Sequence, residues 1–156
     1  MDKSGLPKQV FLCLAVALTL AGGVATVANF YMGIATGAYT LMVSGLIFRR
    51  RPKIHSKFMA TAISLDLGVL VTLEIQRHAI DTALSFSLSP IQQMHVATSS
   101  VATILYFPIL FLGWKQLYRK ATARGRLLHM RLGIAAFVFR TFGFLLMFSL
   151  LGQETV

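Results

Sequence analysis

Four histidines, His55, His78, His95 and His129, are the only imidazoles in this chain of 156 residues. Imidazole is the commonest biological metal ligand, and a pair on facing helices can hold haem iron or contribute to a copper, zinc or iron site. The segments Arg-Pro-Lys-Ile-His55-Ser-Lys57 and Gly-Arg-Leu-Leu-His129-Met-Arg131 both set a histidine among basic residues. Eleven residues after His55 comes Asp66, and eleven after His129 comes Arg140. In a helix that offset is about 16 Å of rise and three turns plus roughly 20°, so each charge shares a face with its histidine. If His55 and His129 face one another, Asp66 and Arg140 do so as well. Charge at that depth in an apolar helix is costly, and it is kept for pairing or for function. Arg140 is therefore a candidate for cofactor carboxylates, and Asp66 for proton movement or for an ion pair that locks the register.

A second set lies elsewhere. Glu74 precedes His78 by four residues, which in a helix puts both on one face. With His95 they form two imidazoles and a carboxylate, a ligand class for divalent iron that also suits other metals. Each residue has a plainer use: a histidine at an interface is polar at its tip and apolar in its body, and Glu74 has Arg77 as a neighbour for pairing. Met94-His95 and His129-Met130 offer soft copper ligands, although thioethers are common in apolar helices. The sequence has no Gly-rich phosphate loop and no Ser/His/Asp set in a soluble domain. Its single cysteine, Cys13, excludes a disulfide framework and a multi-cysteine cluster. These features describe a carrier or binding protein, not a turnover enzyme.

The elements that must position these residues follow from composition. A net charge of +10 accompanies 56% hydrophobic and only 13% charged residues, against about 25% charged in a soluble domain. A soluble nucleic-acid binder would match the charge but not the apolar fraction. The combination predicts an all-α integral membrane helix bundle whose charges are gathered into a few loops, in contact with the lipid bilayer. From Val10 to Phe48 the chain carries no charge. A single helix of that run would be roughly 58 Å long, twice a ~30 Å hydrocarbon core. Two spans are expected there, turning at Ala28–Gly33, with Asn29 and Gly33 as turn residues. Gly33-x-x-x-Gly37 also fits a helix-packing motif. Three more spans run from about His55 to Gln76 (opened by Pro52), from Ser89-Pro90 to about Tyr118 across Pro108, and from about His129 to Leu151. The expected organisation is one transmembrane domain of five helices: an N-terminal helix (1–33) and a four-helix histidine-bearing core (34–151).

The basic residues orient the bundle. With the N-terminus inside, Lys3, Lys8, Arg49–Arg51, Lys53, Lys57, Lys115, Arg119, Lys120, Arg124, Arg126 and Arg131 fall on the inner face. The outer face receives only Arg77, and the C-terminus lies outside. His55 and His129 then sit at the inner face, His78 and His95 at the outer. A cleaved signal peptide ending near Ala25–Ala28 is a second reading of the first segment, and it leaves four helices in the same orientation. His55 and His78 are 23 residues apart, or about 34 Å along a helix. That is uncomfortable for a continuous two-haem wire and favours separate sites, or one cofactor site plus a structural pair.

The residues also resemble a family. Lys53-Ile-His55-Ser-Lys57-Phe-Met59, then His78, Met94-His95-Val-Ala, and Leu128-His129-Met-Arg131-Leu-Gly are similar, in order and placement, to the bacterial YozB/CtaM-type membrane proteins, known as domain of unknown function 420. The resemblance covers about residues 40 to 150. It implies a four-helix core with histidines at helix ends, in the bacterial inner membrane. It further implies His55, His78, His95 and His129 as positions for haem b or a transition metal such as copper or iron. CtaM-like members are associated with maturation of haem–copper terminal oxidases, which implies assembly or cofactor insertion with such an oxidase as partner. Ser56 and Met130 stand where a basic residue commonly follows the first and last histidines, and the N-terminal helix is extra to the usual core. A b-type electron-transfer subunit, with His55/His129 on one haem and His78/His95 on another, is the alternative.

For the deep charges we expect Asp66→Asn alone to lower stability more than Asp66→Asn combined with Arg140→Leu. Unfolding of both variants and the single Arg140→Leu in detergent completes the cycle, and additive losses reject the pairing.

Overall fold

The structure is a computed structural model, and it describes residues 6–78, 80–81, 87–119 and 122–149. Among these residues it is all-α. The five helices are α1 (Leu6–Val27), α2 (Phe30–Ile47), α3 (Pro52–Arg77), α4 (Pro90–Tyr118) and α5 (Ala123–Ser149). All five are long and apolar enough to span a membrane. Large apolar side chains face outward on most of them: Phe11, Leu18 and Ile75 are each 74–75% exposed. A surface of that kind suits lipid, where a helix satisfies its own backbone and apolar side chains need no cover.

The chain divides into two compact units, Met1–Val69 and Leu70–Val156, with the boundary inside α3. In the first unit α1 packs against α2. Ala28 and Asn29 are the whole turn: Asn29 is extended and its side chain accepts a hydrogen bond from the Met32 amide at 2.9 Å, an N-cap for α2. Gly33, expected as a turn residue, is instead in the first turn of α2. It lies so close to Ala21 and Ala25 of α1 that a Cβ there would sit 2.5 Å from the Ala25 Cβ and 2.7 Å from the Ala21 carbonyl oxygen. Gly37 faces Ala21 one turn later, so the small-residue motif does join two helices.

Helix α2 is the most enclosed of the five, with Ala35, Ala38, Leu41 and Met42 all buried. Its threonine and serine hydroxyls bond back to α2 itself. Thr36 donates to the Met32 carbonyl, Thr40 to Thr36 and Ser44 to Thr40, each at 2.8 Å. A polar group in a dry setting costs a few kcal/mol when left unbonded, and bonding back to one's own helix removes that cost. Phe48 and Phe58 stack with centroids 5.6 Å apart across the α2–α3 corner.

In the second unit α4 packs on α5. Helix α4 starts as the Ser89-Pro90 pair predicts. The Ser89 hydroxyl accepts from the Gln92 amide, and the Gln92 side chain accepts from the Ser89 amide at 2.9 Å, a reciprocal capping box. The helix continues through Pro108 to Tyr118. Helix α5 begins at Ala123, not near His129. Thr122 caps it, accepting from the Gly125 amide at its hydroxyl (3.1 Å) and from the Arg126 amide at its carbonyl (3.1 Å). His129 is consequently the seventh residue of α5, almost two turns in. Leu151, the expected end of that span, lies outside the described residues.

The α1–α2 contact should be the steric weak point of the first unit. Gly33→Val is expected to cost about 1–3 kcal/mol, the usual range for overpacking, whereas Gly22, with no neighbour within 4 Å of its Cβ position, tolerates alanine. Denaturation midpoints of the two variants in detergent check the contrast.

Candidate functional site

Three of the four histidines lie against a glycine of a neighbouring helix. At the α2–α3 corner the helix ends early. The Arg49 amide, which a continuing helix would direct to Gly45, bonds to the Leu46 carbonyl instead. That leaves the Gly45 carbonyl among the orphan acceptors of a helix C-terminus. His55, in the first turn of α3, takes it: Nδ1–H donates to the Gly45 oxygen at 2.8 Å. Gly45 has no side chain to hold the two helices apart; a Cβ there would lie 3.2–3.3 Å from Met59 and Phe58.

His95 repeats the device between α4 and α5, its Nδ1–H donating to the Gly143 oxygen at 2.7 Å. The helices touch closely here, for a Cβ on Gly143 would fall 2.6 Å from Ser99 Oγ and 3.3 Å from Thr98 Oγ1. At the other end of the same pair the roles are exchanged. His129 of α5 lies over Gly113 of α4, its Cε1 3.3 Å from where a Cβ would be. The two helices thus exchange a histidine for a glycine at each end of their contact.

The carbonyl partner fixes the tautomer of His55 and of His95. A carbonyl oxygen only accepts, so Nδ1 carries a proton, and in the neutral ring Nε2 then carries the lone pair. This is the state of a ligating histidine, whose second ring N–H is held by a carbonyl or carboxylate so that the ring is oriented for the metal. The same bond also does ordinary structural work, closing the end of α2 and joining α4 to α5, each for about 0.5–1.5 kcal/mol.

Arg140 is only 7% exposed and lies one turn before Gly143 on α5. Its guanidinium is near enough to His95 to act on it electrostatically. This puts an imidazole with a defined lone pair and a buried cation in one region of the second unit. Asp66 is half-buried in α3 and belongs to the first unit.

The Glu74/His78 pair is built differently from the expected single face. The helix stops at Arg77 and His78 takes a left-handed backbone, φ +46°, the geometry of a helix stop usually given to glycine. Glu74 Oε2 accepts from the Ile80 amide at 2.8 Å, so the carboxylate ties the chain leaving α3 to its last turn. His78 is exposed. Among the described residues no three His, Cys, Asp or Glu side chains converge as a metal-holding group, and Glu74, His78 and His95 are all described. What the described residues do present is single imidazoles held at Nδ1, those of His55 and His95.

Sequence reasoning singled out the histidines but not Gly45, Gly113, Gly143 and Ser99, which set their geometry. No family model, curated protein or solved structure matches the chain, so the resemblance to the YozB/CtaM-type proteins rests on the residues that carry it.

Gly143→Ala should push α4 from α5 and lengthen the His95 bond, at a cost of roughly 1–3 kcal/mol. Ser99→Gly removes the atom that the new methyl meets, and the double variant should recover most of the loss. Strictly additive unfolding free energies would show that Ser99 is not the obstruction.

Proposed function

We propose that this chain is a multi-pass protein of the bacterial inner membrane, N-terminus cytoplasmic and C-terminus outside, that binds haem b or a transition metal through its histidines. In this reading it assists assembly or cofactor insertion of a respiratory haem–copper oxidase as a carrier or chaperone and turns over no substrate. The observation that carries the proposal is the repeated bond from a histidine Nδ1–H to a glycine carbonyl, at 2.8 Å for His55 and 2.7 Å for His95. It gives both rings the ligand-competent tautomer and a fixed orientation before any ligand arrives. The buried guanidinium of Arg140 supports the same reading, because haem brings carboxylates that need a cation in an apolar setting. The oxidase as partner is supported by the resemblance of the histidine-bearing segments.

His55 and His95 would each serve as a ligand at a separate site, His129 and His78 would supply further imidazoles, and Arg140, in the same unit as His95, would meet the carboxylates of a group held there. Bound haem would bring its own redox chemistry. Protein purified in mild detergent is expected to show haem absorbance or stoichiometric copper or iron. His95→Ala should lose most of it and Arg140→Gln should weaken retention. Absence of haem bands together with absence of copper, iron and zinc by elemental analysis would overturn the proposal. Sharp low-spin bis-imidazole bands in a reduced-minus-oxidised spectrum would favour electron transfer over carriage.

A further inference from the structure

The first unit holds six described cations, Lys8, Arg49, Arg50, Arg51, Lys53 and Lys57, and its only described acid is Asp66, nine residues beyond the last of them. Five of the six are gathered at the α2–α3 corner, and all but the half-buried Arg51 are exposed. Among the described residues of the unit no carboxylate lies within the cluster, so the corner is a concentration of positive charge that suits an anion.

Beside this cluster residues of α1, α2 and α3 line an open groove of about 290 Å³. Its walls are apolar, with Leu14 from α1, Leu41 from α2 and Phe58 from α3. Two polar groups line it, both on α3: Lys57, and Thr61 one turn further from the corner. Along α3 the charged head of Lys57 is the polar group nearer the corner, with Ile54 and Phe58 as its apolar neighbours on the groove wall. A lysine stem runs along apolar surface while its head stays at the polar boundary, so Lys57 can keep its charge with the cluster and its methylenes in the groove.

We propose that this groove is a binding site for one anionic diacyl phospholipid. The phosphate sits on Lys57 among the cations of the corner. One acyl chain lies over Leu14, Leu41 and Phe58. A zwitterionic lipid offers the same chain but brings its own cation to a place already crowded with them, so the discrimination is in the headgroup. The site uses no histidine and stands or falls apart from the haem reading.

The full-length protein reconstituted in nanodiscs of equal parts phosphatidylglycerol and phosphatidylcholine, then moved into mild detergent, allows retained lipid to be counted by native mass spectrometry. We expect one phosphatidylglycerol retained in preference to phosphatidylcholine. Lys57→Gln should weaken it by about fivefold, the equivalent of the ~1 kcal/mol a cation contributes near an anionic surface. Arg50→Gln removes the same charge outside the groove and should change retention less than twofold. Leu14→Trp fills the groove at a position already 41% exposed and should expel the lipid with every cation in place. Equal retention of the two lipids by the unmodified protein would overturn the proposal, as would equal loss in Lys57→Gln and Arg50→Gln or undiminished retention in Leu14→Trp.

Discussion

A helix surrounded by hydrocarbon has no water to turn to, and each polar atom must find its partner within the protein. This constraint accounts for most of the polar detail in the chain. The hydroxyls of Thr36, Thr40 and Ser44 fold back on their own helix. Asn29 and Ser89 occupy the amides of helix starts, and Glu74 reaches the Ile80 amide where α3 stops. Even His55 can be described first as the group that answers an orphan carbonyl and only second as a candidate ligand. The two descriptions do not compete, because satisfying Nδ1 is what frees Nε2 for other chemistry.

Close approach is the second requirement, and glycine supplies it. A histidine ring reaches a backbone carbonyl of the next helix only where no Cβ stands between, and Gly45 and Gly143 are the residues at those two carbonyls. Gly33 does the equivalent for two backbones, bringing α2 against Ala21 and Ala25 of α1. In each case dispersion between closely approaching surfaces replaces the hydrophobic drive that lipid does not provide.

The number of spans, their apolar character and the caps at Pro52 and Ser89-Pro90 were legible in the sequence because they depend on local composition and on residues with fixed backbone preferences. The start of α5 was not, since Thr122 is one of many threonines and becomes a cap only through its bonds to Gly125 and Arg126. Glu74 and His78 show how spacing misleads near an end: four residues share a face only while the helix continues, and it stops one residue too soon. The histidines stood out by their rarity, whereas the glycines beneath them are three of 12 and carry no mark. One clue did exist. In an antiparallel pair closed by a short loop, facing residues have a nearly constant sum of positions, and Ser99 with Gly143 and Gly113 with His129 share the same one.

The carbonyl bonds of His55 and His95 also define what these rings do badly. Passing a proton through imidazole requires one nitrogen to receive while the other releases, followed by a return of the tautomer. A backbone carbonyl neither gives nor keeps a proton, so Nδ1 has nowhere to send its hydrogen. While the bonds to Gly45 and Gly143 persist, each ring exchanges protons or ligands at Nε2 alone. They are one-sided holders, and any proton wire in this protein has to run around them.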